Sequence, residues 1–294
     1  MRIIMGMTWK ELLRKRVMVL TLLMTVAFLI GFWFIAGTIG QSGASHGLSI
    51  PSGGDLLVRF TNSVFILTFG FFFGAFVIAF LAIFSSFSAI SGEAEQGVMQ
   101  AMLPRPIPRW KWYAGRWLGY VTLGVGYALI LFVSILLITQ FHATIPKDGL
   151  TLFKSFLLFS SIVPLLITIS MLGSGFFSAL GNGVFMTMLY GAGWLGGMID
   201  KVSSSLLSEH QALSTLNNMT GIMSLLMPVD GLQRRMTAEL FSINEINGML
   251  GASDNIFGLV NLASVPSNAF IIYTIFYTLL AFLIGLYRFQ RKDL

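Results

Sequence analysis

One short polar segment of this chain of 294 residues concentrates side chains that could do chemistry. Residues 91–110, "SGEAEQGVMQAMLPRPIPRW", place carboxylates, amides and guanidinium groups between runs that contain almost no charge. Ser91 is positioned to cap a helix, and Glu93 and Glu95 fall in its first turn, where carboxylates suit the positive end of the helix dipole. These groups indicate a polar contact surface.

The helix that starts at Ser91 is predicted to end near Leu103, because Pro104 and the prolines after it cannot continue it. Its two faces differ in polarity at 100° per residue. Ala94, Val98, Ala101 and Met102 form a face expected to lie on the membrane, and Glu93, Gln96, Gly97 and Gln100 form a face expected to look into the cytoplasm. "PRPIPRW" then forms a stiff connector, so the segment could transmit a push. An ordinary solvated loop explains the same residues about equally well.

Other catalytic candidates are weak. "GAGWLG", residues 191–196, fits G-x-G-x-x-G, but it lies in an apolar run with no preceding strand, which favours close helix packing over a dinucleotide site. The sequence has no P-loop motif and no cysteine. Ser174 has no histidine in a later span to activate it, and His46, His142 and His210 are interpreted as loop residues. We therefore predict no enzyme activity, cofactor or metal in this chain.

The composition is that of a membrane protein. The chain is 55% hydrophobic and 10% charged, against about 25% charged residues in a typical soluble domain. Runs of about 20 residues suffice to cross about 30 Å of hydrocarbon as helices. We predict an all-α integral membrane fold with six transmembrane helices, at 17–40, 60–90, 117–141, 152–177, 183–199 and 269–287.

The basic residues predict the orientation of these spans. With the N-terminus inside, 12 of the 18 Lys and Arg residues fall on the cytoplasmic side: Arg2, Lys10, Arg14, Lys15, Arg16, Arg105, Arg109, Lys111, Arg116, Arg288, Arg291 and Lys292. This distribution places both termini in the cytoplasm by the positive-inside rule. It also explains the net charge of +6 without nucleic acid as a partner.

Three polar or interfacial pieces interrupt one transmembrane domain, residues 1–294. Residues 1–16 are expected to form an interfacial helix, with Met5, Trp9, Leu12 and Leu13 on its apolar face and Thr8, Lys10, Glu11, Arg14 and Lys15 mostly on the other. Residues 91–116 form the main cytoplasmic connection. Residues 200–268 form the outer connector between spans five and six, whose short apolar runs predict surface-lying or re-entrant helices.

Three stretches resemble the type-2 ABC transporter permeases. "FSAISGEAEQGVMQAMLPRPIPRWKWYAGRWLG" is similar to their cytoplasmic coupling region, "MTWKELLRKR" to their N-terminal elbow helix, and "LMPVDGLQRRM" to the segment after their fifth span. Arg116 stands where the commoner pattern has Lys, and Trp112 stands in a usually aliphatic region.

The resemblance implies a transmembrane subunit that forms a homodimer or pairs with a related permease chain, on a pair of cytoplasmic ATPase subunits that use ATP and Mg. The residues implied in ATPase coupling are Glu93, Glu95, Gln96, Gln100, Arg105, Arg109, Lys10 and Glu11. The coupling helix and the elbow helix would pass the movement of the ATPases to the spans.

The predicted span interiors contain no Asp, Glu, Lys, Arg or His, and only Arg59 and Lys154 lie near span ends. Ion-coupled transporters typically need such residues inside the spans. This absence favours energy from outside the bilayer and an apolar or amphiphilic substrate, such as a lipid, drug or peptide-like molecule. Candidate pathway residues are Thr61, Asn62, Ser63, Thr187 and Tyr190. Hydrogen bonds between helices are at least as good an explanation for each of them.

We therefore predict an ATP-driven export permease in the plasma membrane of a bacterial cell. The alternative is a non-transporting membrane anchor or sensor that recruits the same ATPases.

Overall fold

The computed structural model describes residues 1–42, 53–95, 108–143, 145, 148–206, 212–241 and 266–291. Within these ranges every regular element is an α-helix. In chain order they are α1 (Arg2–Arg14), α2 (Arg16–Ser42), α3 (Gly53–Ser86), α4 (Ser91–Glu95), α5 (Arg109–His142), α6 (Gly149–Ser174), α7 (Ala179–Leu206), α8 (Ala212–Leu226), α9 (Val229–Leu240) and α10 (Asn268–Arg291). The prediction of an all-α fold is confirmed.

Five helices in the described ranges are long and apolar enough to cross a membrane: α2, α3 with the turn after it, α5, α6 and α10. The chain is therefore a multi-pass membrane protein. The span predicted at 183–199 forms the middle of α7, which is helical throughout but is not one of the five. Its many glycines add little apolar surface. The sixth span remains a prediction.

Helices α3 and α6 form the centre of the bundle. In their most apolar stretches 61% and 67% of the residues are buried, against 11% in α2 and 17% in α10. Phe71 of α3 packs against Phe132 of α5 and Phe159 of α6, with ring centroids 5.1 Å and 5.3 Å apart. The outer faces of α2 and α10 expose large apolar side chains, as lipid-facing helices do.

Both chain ends lie at the same end of the bundle, which we call the terminal face. Trp9 of α1 donates a hydrogen bond to the carbonyl oxygen of Gly119 in α5. Arg109 at the start of α5 donates to the carbonyl oxygen of Gln290, near the end of α10. The turns after α3 and α6 lie at this face as well. They lie next to each other, because Ser91 and Ser174 are hydrogen-bonded. The other end of the bundle is the opposite face.

Helices α8 and α9 form a hairpin that enters the bundle from the opposite face. Met227 lies against Gly193 of α7 and Met223 against Gly196, so α8 runs antiparallel to α7. Gly193 is 13 residues before the end of α7 at Leu206, a depth of roughly 20 Å at 1.5 Å per residue. The hairpin therefore reaches well below the end of α7.

Charged residues on α9 pair with each other or with neighbouring helices. Asp230 accepts a hydrogen bond from Arg234 at 2.6 Å, and Glu239 lies 3.4 Å from Lys154 of α6. Arg235 donates to the carbonyl oxygen of Pro266 and to the side chain of Asn268. These contacts fasten the hairpin to the ends of α6 and α10 at the opposite face.

The interpretation of His142 as a loop residue is wrong. It is the last residue of α5, and its ring packs edge-on against Trp33 of α2 at 4.7 Å. Gly37 and Gly40 make room for it on the same face of α2. His46 and His210 lie outside the described residues.

Gly193→Ala should displace the hairpin, whereas Gly191→Ala should not. A Cβ atom on Gly193 would lie 2.7 Å from the Cβ of Met227, while a Cβ on Gly191 meets nothing within 4 Å. Both changes bring the same gain in helix propensity, so the difference isolates the overlap. We expect Gly193→Ala to be less stable than Gly191→Ala by roughly 1–3 kcal/mol in thermal unfolding. Equal melting temperatures would contradict this packing.

Candidate functional site at the terminal face

Helix α1 docks on the first turns of α5 through two glycines. A Cβ atom on Gly115 would lie 3.0 Å from Ile4, and one on Gly119 would lie 2.7 Å from Thr8. Thr8 is fully buried, so its predicted place on the polar face is wrong. The reason is that the threonine hydroxyl bonds the carbonyl oxygen of Ile4 in its own helix, which leaves its methyl group to pack.

Arg116 of α5 joins α1 to α4. Its guanidinium group pairs with Glu11 of α1 and with Glu93 of α4, and its side chain is only 11% exposed. The ring of Trp112 lies 5.3 Å from the guanidinium carbon. Two carboxylates from separate segments therefore share one nearly buried cation, which is an arrangement that is costly to break from one side.

The carboxylate of Glu11 is held in its ionised form. Burial alone would raise the pKa of Glu11, but the hydrogen bond from Lys15 and the charges of Arg116 and Lys15 outweigh it and hold the pKa below its usual value. Lys15 Nζ lies 2.8 Å from the second carboxylate oxygen. Because this pKa is lowered, the stabilisation is present above the ordinary titration range of a glutamate and is lost only as the pH falls through the lowered value.

Ser174 at the end of α6 caps the start of α4. Its hydroxyl oxygen accepts hydrogen bonds from the backbone N–H groups of Ile90 and Ser91, both at 3.0 Å. With both lone pairs used in this way, its O–H group is left to donate to the side chain of Ser91, also at 3.0 Å. The prediction that Ser91 caps this helix is therefore wrong, because the cap comes from a residue 83 positions away.

Two further contacts connect α4 and the turn before it to α7. Glu95 accepts a hydrogen bond at 3.0 Å from the N–H group of Ala179, the first residue of α7. Asn182 is fully buried, and its amide nitrogen donates to the carbonyl oxygens of Phe87 and Ser170 at 2.7 Å and 2.8 Å. Three helices, α5, α6 and α7, thus hold this short segment.

The end of α10 completes the terminal face. The ring of Trp112 stacks on Phe289 with centroids 5.1 Å apart. Arg288 donates to the carbonyl oxygen of Gly175 and lies over the ring of Phe176. In the described part of the chain no group of His, Cys, Asp and Glu could hold a metal ion. The arrangement is suited to transmitting displacement between segments.

A family model described as ABC-2 family transporter protein matches residues 4–294. The chain belongs to this family. Members of the ABC-2 family are membrane subunits of transporters, are generally not catalytic themselves, and generally work with cytoplasmic ATPase subunits. No curated protein matches the chain.

The predicted coupling residues of this ABC-2 family protein have different surroundings. Glu11, Glu93 and Glu95 join helices at the terminal face, Arg109 contacts the end of α10, and Lys10 is exposed. Gln96, Gln100 and Arg105 lie outside the described residues. The expectation that Glu93 faces the solvent is wrong: its side chain is 13% exposed and turns inward, because Arg116 supplies the cation that a buried carboxylate needs.

The predicted pathway residues are dispersed over several helix contacts. Asn62 donates to the carbonyl oxygen of Ile39 in α2, and its neighbours Thr61 and Ser63 are half-buried and buried. Thr187 is exposed and bonds within its own helix. Tyr190 is buried, with its ring 6.0 Å from Phe76 of α3. Helix-to-helix or intrahelical hydrogen bonding accounts for Asn62 and Thr187.

Sequence reasoning missed Arg116, Ser174 and Asn182 as members of this site. Arg116 is visible in the sequence only as one of several basic residues before an apolar run. Asn182 is a polar residue just before an apolar run, a position at which a buried amide often links helices. Each of the three has a partner 83 to 105 positions away in the sequence, which no local pattern could identify.

Ser174→Ala should loosen the start of α4 without unfolding the bundle. The change removes the acceptor of two buried N–H groups, and each unmet group costs about 1–3 kcal/mol. Hydrogen exchange at Ile90 and Ser91 should therefore become faster by about tenfold or more. The control is Ser134→Ala, because Ser134 is half-buried and bonds only the carbonyl oxygen of Ile130 in its own helix. Unchanged protection at Ile90 and Ser91 in Ser174→Ala would contradict the capping role.

Proposed function

We propose that this chain is the permease subunit of an ATP-driven exporter and that residues 91–110 receive movement from cytoplasmic ATPase subunits. Membership of the ABC-2 family supports a transporter subunit. The observation on which the mechanism rests is the shared pairing of Arg116 with Glu11 and Glu93. It gives the predicted coupling segment a stiff attachment to the membrane helices.

A push on α4 reaches α1 and α5 first. The side chains of Arg116 and Glu93 are 11% and 13% exposed, and removing one partner of such a nearly buried pair typically costs 3–5 kcal/mol. Glu11, which is 37% exposed, adds a weaker third member to this ionic triad. The three helices therefore move as one body before the triad breaks. Because α1 leads directly into α2, the first span follows the same movement.

The same push reaches the opposite face through α7. The first residue of α7 bonds Glu95, and Asn182 ties its next turn to Phe87. Further along, Gly193, Gly196 and Gly197 of α7 lie against the α8–α9 hairpin. A shift or tilt of α7 at the terminal face thus moves its contact with the hairpin, and the hairpin acts as the gate through which the substrate leaves.

The substrate is proposed to be apolar or amphiphilic, such as a lipid, a drug or a peptide-like molecule. Large apolar side chains dominate the surfaces of the spans, and the buried acid Asp230 on the hairpin is paired with Arg234. A route of this kind accommodates apolar groups and offers no ring of charges for an ion.

The proposed assembly contains two permease chains, identical or related, and two ATPase subunits that bind ATP and Mg in the cytoplasm. The permease is proposed to lie in the plasma membrane of a bacterial cell, with both termini in the cytoplasm. The basic residues of the terminal face support this orientation. The permease chain itself is proposed to bind no cofactor.

Glu93→Lys should abolish coupling and leave membrane insertion intact. The new ammonium group faces Arg116, so α4 is repelled from the site that holds it. In vesicles that contain the permease and its copurified ATPase subunits, transport-coupled ATP hydrolysis should fall by about tenfold or more, the equivalent of about 1.4 kcal/mol. Lys111→Gln is the matched control, since Lys111 is exposed at the same face and contacts only Trp110.

Coupled hydrolysis at the wild-type rate in Glu93→Lys would contradict the proposed mechanism. The vesicles also test the alternative function. Movement of a fluorescent lipid or drug that depends on ATP supports an exporter, whereas ATP hydrolysis that moves none of the probes would contradict export and favour an anchor or sensor subunit.

A further inference from the structure

A depression of about 340 Å³ lies on the last two turns of α1 and is lined by Lys10, Glu11, Arg14 and Lys15. Lys10 and Arg14 are exposed there, one turn apart. Three of the four lining residues are cations, and the predicted coupling role does not explain their number.

The single carboxylate that lines the depression, that of Glu11, already has ion-pair partners. Glu11 pairs with Arg116 through one oxygen and with Lys15 through the other. Within the described ranges Lys10 and Arg14 have no ion-pair partner. The depression therefore has an excess of positive charge that no acid of the described chain neutralises, and an anion with several acceptor oxygens fits it.

The position of the depression in the chain indicates which anion this is. Helix α1 ends at Arg14, Lys15 is extended, and the first membrane-spanning helix begins at Arg16. Lys10 is one helical turn before Arg14, and Arg14 is two residues before the start of the span, so both side chains lie close to that point. This is the layer of the bilayer that contains the lipid phosphates.

The exposed face of α1 has the composition of a helix that lies on a bilayer. Ile3 and Met7, which are 80% and 56% exposed, are on the same face as Lys10 and Arg14. Apolar side chains at one end of this face can enter the acyl region while the cations at the other end meet the headgroups. A soluble protein partner would not require this pairing of apolar and cationic residues beside a span.

We propose that this depression binds the phosphate of an anionic phospholipid from the leaflet at the terminal face. Arg14 supplies a planar pair of donors to the phosphate oxygens, and Lys10 supplies a mobile ammonium group. Lys15, which also pairs with Glu11, forms the inner wall of the depression. Lys10 is thus assigned to a lipid and not to the ATPase. The proposal does not depend on the transport function.

The test is lipid retention by the purified full-length protein, measured by native mass spectrometry after exchange into equal amounts of phosphatidylglycerol and phosphatidylcholine. The wild type should retain phosphatidylglycerol preferentially. Each basic residue near an anionic surface contributes about 1 kcal/mol, so K10Q/R14Q should weaken that preference by about tenfold or more. K111Q/R291Q removes the same charge from exposed positions of the same face that do not line the depression, so it should weaken the preference less than K10Q/R14Q does.

Several outcomes would overturn the proposal. These are an unchanged preference in K10Q/R14Q, an equal loss in K111Q/R291Q, or displacement of the lipid by millimolar inorganic phosphate. K10R/R14K restores both charges and should keep the preference; loss of the preference in this variant would also count against the site. Melting temperatures equal to that of the wild type are expected throughout, because both side chains are exposed. No ATPase is present in the assay, so its result is independent of the test of export.

Discussion

One nearly buried guanidinium group, that of Arg116, has to be neutralised by carboxylates from two other segments of the chain. Glu11 comes from the helix before the first span and Glu93 from the short helix after α3. The ionic triad therefore links the two segments to each other and to α5. The glycines that admit Ile4 and Thr8 and the stacking of Trp112 on Phe289 then fill the space around it.

The same face shows how polar groups can be satisfied at a membrane boundary without a local cap. The helix start at Ser91 obtains its acceptor from Ser174, and the start of α7 obtains one from Glu95. Each helix is therefore capped by a neighbour. This exchange makes the turn after α3 and the turn after α6 parts of one connected unit, and it is the reason why α7 can link the terminal face to the hairpin.

Hydropathy predicted the spans correctly where they consist of long apolar runs, because a bilayer of fixed thickness leaves little choice of length. Hydropathy could not decide whether α7 spans the membrane, because the glycines of this helix make room for Met227 and Met223. Glu11, Glu93 and Glu95 could be selected by type and position, but their partners could not, since Arg116 and Ser174 reach them only through the fold. Thr8 and Glu93 were assigned to the wrong faces for that reason. A helical wheel counts a polar side chain as exposed even where a residue distant in the sequence buries it.

Hydrogen exchange in Arg116→Met tests the shared junction most directly. The substitution keeps an apolar stem for packing and removes the charge that Glu11 and Glu93 share. If the triad ties the two segments together, amides of α1 and of residues 91–95 gain exchange to a similar extent, while those in the centre of α6 keep their protection. A gain confined to one segment, or none in either, would contradict the account.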